Sequence, residues 1–406
     1  MDHNRDILIS GASVAGPSLA YWLSRHGFHP TVVERAPQLR DGGYTVDFRG
    51  AAHLGVLAKM GLLDAIKTRQ TRLSRITIVD QQGRPMAPMP AHVFAGDVEI
   101  LRGDLARILY HATRDTTEYL FGDSITRLDE GPDGVRVWFE HAEPRTFSLV
   151  IGADGLHSAV RRLAFGEHDS FLEDLGLYVS IFSVPNTFGL DHAGLLCSVP
   201  GRTAGVFSDG DGQAIAQLYF TAPATSYDHR DTAGNQQIVA EAFAEMGWRV
   251  PELMAAMEQA PDFYFDSVSQ VHLDRWSAGR IALIGDAACA PGPGGNGTGN
   301  AVVAAYVLAG ELAAAHGDYD SAFTHYEQRL RPYVAKGQKQ ARGSKDFLAP
   351  ATAKKIAQVQ RFYKTLPYLP VKHAMKYLTT RTATGIELPD YPGLDRSRQA
   401  RGSATA

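Results

Sequence analysis

The chain is poor in cysteine: its 406 residues hold two, Cys197 and Cys289. Two thiols so far apart give neither a disulfide framework nor the paired spacing of a zinc site, so no metal is expected, and free thiols suit a reducing cytosol. The chain also lacks a basic excess. Its 40 Lys and Arg against 44 Asp and Glu give a net charge of -4, too little positive charge for a general nucleic-acid partner. The one local cluster, between Arg329 and Lys355, reads as a solvated helix face. No apolar run reaches the ~18 residues of a membrane span, and "MDHNRD" leads straight into a strand rather than a signal peptide. A cytoplasmic protein, monomeric or homodimeric and off the membrane, is expected.

What is present has the texture of an α/β protein. "DILISGASVAGPSLAYWLSRHGFHPTVVERA" runs strand, glycine turn, helix, strand, with Gly27 closing the helix, and forms a βαβ unit of about 30 residues. "VEILRGDLARILYHAT" is a strand end entering a helix capped by Asp104. "RLSRITIVDQQGRPM" reads as a hairpin. From about 170 the pattern becomes long antiparallel strands, with the single helix "NQQIVAEAFAEMG" among them. "GRIALIGDAA" then resumes the buried-strand pattern. The expected architecture is a Rossmann-like α/β dinucleotide-binding domain (residues 1–70, 97–168 and 273–330), interrupted by a mostly antiparallel β-sheet substrate domain (71–96 and 169–272). C-terminal helices (331–390) and a disordered tail (391–406) follow.

Three glycine motifs carry chemistry. Gly11-Ala-Ser13-Val-Ala15-Gly16 lies between strand and helix, where a pyrophosphate meets a tight turn, close backbone and the positive helix end. Ser13 replaces the usual middle glycine and offers a hydroxyl instead. Glu34, about 18 residues beyond Gly16, ends the second strand, where a carboxylate accepts from ribose hydroxyls and disfavours a 2′-phosphate. An incidental glycine turn would lack this strand, helix and acid in register. "VIGADGLHSAVRRL" places Asp154-Gly155 after a strand; taken alone it is a capped helix. "GDAACAPGPGGNGTGN" sets Asp286 past another strand, then a glycine loop before an apolar helix.

In order and spacing, Gly11–Gly16, Glu34, Arg102, Asp154-Gly155 and Gly285-Asp286 resemble the class A FAD-dependent aromatic monooxygenases of the para-hydroxybenzoate hydroxylase type. The size and the "GGYTVDFRG" segment look most like the small polyketide- and tetracycline-modifying members. The resemblance implies the family's glutathione-reductase-type (GR2) FAD-binding fold and hydroxylation of an aromatic or polyketide substrate with NADH or NADPH and O2, by way of a flavin C4a-hydroperoxide. It implies that Gly11, Ser13, Ala15 and Gly16 hold the pyrophosphate of non-covalent FAD, Glu34 the ribose, and Arg35 the adenine edge. Arg102 would balance phosphate charge, Asp154 would serve both nucleotides, and Asp286 would accept from the ribityl chain. Asp47 and Arg49 would lie beside the flavin, with Arg49 a candidate catalytic cation. Gly295, Gly297, Thr298 and Gly299 would bring backbone N–H groups to the ring edge without a Cβ.

The chain departs from the family where Cys289 replaces a usual His and where the proline loop reads one residue short. Cys289 has no base at a motif position and reads as a buried filler rather than a nucleophile or flavin attachment point. On the substrate side, Phe182, Phe207, Gln217, Tyr219 and Phe220 lie on the middle sheet, and strand alternation turns half of them toward the flavin. Pro293 is a further substrate candidate, and His272 a candidate base on spacing alone. Alternatives are a tetracycline-type antibiotic-inactivating enzyme, a flavin reductase or halogenase on the same fold, and a non-catalytic flavin-binding module. A halogenase calls for W-x-W-x-I-P, and Trp22, Trp138, Trp248 and Trp276 are all isolated.

Overall fold

Ile7, Leu8 and Ile9 have no solvent exposure, as an uninterrupted apolar run implies for a strand covered on both faces. Their strand, Asp6–Ser10, lies inside a six-stranded sheet in the computed structural model, which describes residues 5–39, 43–90, 96–166, 168–210, 212–223, 227–366 and 385–391. The sheet runs Ser277–Ala278, Ile281–Leu283, Leu149–Gly152, Asp6–Ser10, His29–Glu34, Glu118–Phe121, and every pair is parallel except the first. Strands from three distant stretches of sequence thus build one sheet, and their carboxyl ends gather the three glycine motifs.

Helix Ala15–Arg25 follows the first strand and packs on helix Gly297–Ala314. The second helix is buried at every position from Gly299 to Leu312, so an apolar face all round is required of it. Trp22 meets Tyr306 edge to face at 5.0 Å across this contact.

The seven-stranded sheet runs Tyr264–Val271, Leu172–Pro185, Gln213–Phe220, Arg202–Ser208, Ala193–Val199, Arg75–Val79, Pro85–Pro90. It is antiparallel except where Ala193–Val199 meets the hairpin strand Arg75–Val79. One face packs Tyr178, Phe182, Leu218, Phe220 and Phe265 under helices Thr232–Phe243 and Val250–Met257. The second helix is an addition to the single one expected; Pro251 in its first turn starts it, where a missing N–H costs nothing. The opposite face meets helix Ala353–Thr365 at one end, through Ile76, Ile78 and Met89 against Tyr363 and Leu366.

Two boundaries change. Helix Arg102–His111 begins two residues before Asp104, with Leu101 as its N-cap, and Asp104 instead pairs with Arg107 in the first turn. Helix Tyr319–Ala341 runs unbroken through the boundary placed at 330 and through Pro332, because Phe323, Tyr326, Leu330, Tyr333 and Val334 form one buried stripe. The tail expected to be disordered lies outside the described residues except for Tyr391, which is buried against Tyr306 and donates to Glu311 at 2.7 Å.

Candidate cofactor and substrate site

At the first strand end, Gly11 has φ +107°, and a Cβ there would lie 2.5 Å from the Ala153 carbonyl oxygen. Only glycine fits this turn between two strand ends. A Cβ on Gly16 would fall 1.9 Å from the Gly11 carbonyl oxygen, so Gly16 lets the helix start directly on the turn. Ala15 is the first helical residue, and no side chain caps the helix, leaving its first N–H groups for another acceptor. Glu34 accepts from the Ala12 and Ala36 backbone amides, both at 2.9 Å. Its two oxygens are fixed at the strand end, each with a lone pair to spare. Arg35, next along, is exposed, and its charge reaches His229.

Arg102 opens its helix and points back to the same turn: its Nη1 donates to Ser13 Oγ at 3.3 Å, and its guanidinium lies 5.6 Å from the Tyr44 ring centre. Its Nε is buried with no hydrogen-bond partner among the described residues, an unmet donor of the kind that an anionic oxygen can satisfy. Asp286 begins a single helical turn, Asp286–Cys289, after the strand Ile281–Leu283. Asp286 is exposed to solvent as a residue, yet desolvation by its surroundings raises its carboxyl pKa, and the Arg102 charge opposes the rise. Asp154 is already occupied: it accepts from Ser10 and Ser158 hydroxyls and from the Ala159 and Val160 amides, capping helix Ala159–Phe165.

The fully buried Arg161 joins the last two motifs. It donates to the Ala287 carbonyl at 2.8 Å and to the Leu156 carbonyl.

Asp47 and Arg49 form an ion pair, and Arg49 N–H donates to His53 Nδ1 at 3.1 Å. The His53 proton therefore sits on Nε2, which donates to Tyr333 Oη at 2.6 Å. The glycines of the loop have neighbours of their own. A Cβ on Gly299 would strike the His53 ring at 2.1 Å, one on Gly295 would meet Pro291 at 2.5 Å, and one on Gly297 would crowd Asp286 Oδ1 at 3.3 Å. Asn296 turns the chain at φ +63° into the helix that carries Thr298, and Pro293 is half-buried in the same loop. Buried Cys289 Sγ donates to the Gly285 carbonyl at 3.5 Å, and burial raises its thiol pKa, so it stays neutral.

Register sorts the substrate candidates. Val179 pairs with Tyr219 and Asp266, and Ile181 with Gln217 and Tyr264, so these residues share the face turned from the two helices. Phe182 and Phe220 point the other way into the helix-covered core, which removes them as substrate contacts. Phe207 is on the open face, but its ring lies over Gly194 and Gly205, where any Cβ would clash. His272 is exposed, 3.0 Å from Glu173, and no described contact joins it to Arg102 or Asp286.

The sequence reading missed Tyr44, Tyr264 and Asp266. Tyr44 and Tyr264 lie 6.4 Å apart between the two sheets. Burial raises the Tyr44 pKa, with the Arg102 charge opposing and the Asp286 and Asp266 charges adding to the rise, and burial raises that of Tyr219, with Tyr44 adding to it. The cofactor motifs and the open sheet face therefore meet around three phenols.

The chain matches the model of an FAD binding domain over residues 4–341. A flavin-dependent monooxygenase of Legionella longbeachae is 37% identical over 398 residues, spanning 96% of this chain and 99% of that one. The crystal structure of tetracycline destructase Tet(51) superposes with a TM-score of 0.85 at 33% identity, covering 96% of this chain and 100% of that one. Tetracycline destructase Tet(55) gives 0.82 at 36%, with the same coverage. The chain belongs to the class A FAD-dependent monooxygenases of the para-hydroxybenzoate hydroxylase type.

Proposed function

We propose that this monooxygenase takes reducing equivalents from NADH or NADPH and places one oxygen atom of O2 on a multi-ring aromatic or polyketide-type molecule, with tetracyclines within its range. The observation that carries this reading is the meeting of Arg102 and Asp286 with Tyr44, Tyr219, Tyr264 and Gln217 between the two sheets. Flat oxygenated rings suit such a wall, because phenols offer both apolar faces and hydrogen-bonding edges.

FAD suits the donor set described above, and when bound it supplies the redox and oxygen chemistry. The chain's part is placement. The turn at Gly11, Ser13 and Gly16 would take the pyrophosphate, with Arg102 balancing its charge. Glu34 would accept from the ribose and Asp286 from the ribityl hydroxyls. Asp154 shapes the neighbouring loop, and the Asp47–Arg49 pair would flank the ring. Amides of Gly295 to Gly299 would face its edge.

Coenzyme oxidation by the FAD-loaded protein should rise with tetracycline, and mass spectrometry should find a product 16 mass units heavier. Hydrogen peroxide as the sole product across tetracyclines and aromatic polyketides would refute the substrate class. Asp286→Ala should weaken FAD retention about tenfold, the loss of one charge-assisted hydrogen bond. Flavin content unchanged after dialysis would remove that role from Asp286.

A further inference from the structure

Asp266 is buried on strand Tyr264–Val271, where its carboxylate takes three side-chain donors. Tyr227 Oη donates to Oδ1 at 2.6 Å. His157 Nε2 lies 2.8 Å from Oδ2, and Tyr264 Oη 3.1 Å from the same oxygen. Burial alone would raise the Asp266 pKa, but the hydrogen bond and charge of His157, with Tyr227 and Tyr264, outweigh it and hold it below the ordinary value. The group is therefore ionised near neutrality, and an ionised carboxylate only accepts. Tyr264 must be the donor, and its one hydroxyl proton is spent.

What remains on the Tyr264 oxygen is lone-pair capacity. The side chain is 38% exposed, on the sheet face that also presents Gln217 and Tyr219 and across from Tyr44. The loop carrying His157 and the chain at Tyr227 hold Asp266 from the far side, so Tyr264 cannot easily reverse its hydrogen bond. We infer that Tyr264 is a specificity-determining acceptor for a substrate hydroxyl, so that the cleft selects a hydroxylated ring system over its O-methylated counterpart. Methylation removes the donor and sets two lone-pair oxygens against each other, which strands a buried polar atom. This inference rests on the multi-ring substrate class proposed above.

The FAD-loaded protein would be titrated with 2,6-dihydroxyanthraquinone and with 2,6-dimethoxyanthraquinone, following binding by calorimetry. Wild type should bind the dihydroxy compound at least tenfold more tightly. Tyr264→Phe should bring the two within about twofold, mainly by weakening the dihydroxy compound. Asp266→Asn, which frees the Tyr264 proton, should also narrow the preference. Should the tenfold preference survive in Tyr264→Phe, or be absent from wild type, the inference falls while the substrate class stands. If neither compound binds wild type, both fall together.

Discussion

Arg161→Met should lower the unfolding free energy by roughly 4 kcal/mol, since each hydrogen bond from a buried charged donor is worth about 1.5–3 kcal/mol and each stranded carbonyl adds its own desolvation cost. The guanidinium is fully buried and supplies donors to Leu156 and Ala287, carbonyls in two different motifs. Desolvation lowers its pKa to about 10, with the Asp154 charge opposing, so the group remains a cation at neutral pH. Methionine fills much of the volume but offers no donor. The Asp154 loop would then lose its tie to the Asp286 turn, and FAD retention should fall along with stability. Arg161→Lys should recover less than half of the loss, because one ammonium cannot reproduce a planar fork reaching two carbonyls. Urea unfolding with an unchanged m-value, together with flavin content after gel filtration, measures both effects. A midpoint within error of wild type for Arg161→Met would show that the two carbonyls find other donors.

Arg161 also marks what could be read in advance. The strand, turn and helix around Gly11 were legible because the glycines and Glu34 sit within one short unit and each answers a local geometric need. Arg161 lies in "VIGADGLHSAVRRL", which taken alone reads as a capped helix, and nothing local says that it burrows toward residue 287. The substrate sheet was half legible for the same reason. Alternation divides Phe182 and Phe220 from Gln217 and Tyr219, but which half faces the cleft depends on two helices, one of them unforeseen. The network of His157, Tyr227, Tyr264 and Asp266 brings together three distant segments. Its one local sign is a carboxylate in the middle of the strand "YFDSVSQV".

The glycine loop teaches a related point. Its composition was legible, but the expected reason for it, close approach to a flavin, is not the only one. Gly299 and Gly295 already need to be glycine because of His53, Pro291 and Gly337. The same substitution can therefore disturb the protein before any ligand is involved, and flavin loss in a Gly299 variant would not by itself locate the flavin.

His53 supplies the cleaner handle on that packing. It has no exposure, and burial, aided by the Arg49 charge and opposed by Asp97, lowers its pKa from 6.5 to about 4. Between those values the unfolded chain binds a proton at this position and the folded chain does not, so stability rises with pH across the window. The contribution is complete above pH 6.5 and fades as pH falls to about 4. A shift of that size corresponds to about 3 kcal/mol. Carboxylates titrate in the same range, so the decisive quantity is the difference between wild type and His53→Gln, which keeps a donor for Tyr333 but cannot take up the proton. The variant should be less stable near pH 7.5, through lost packing on Gly299, yet lose about 3 kcal/mol less than wild type between pH 6.5 and 4. Parallel stability–pH curves for the two proteins would mean that His53 can be protonated in place, with Arg49 N–H giving up Nδ1 and another acceptor taking the new Nδ1 proton.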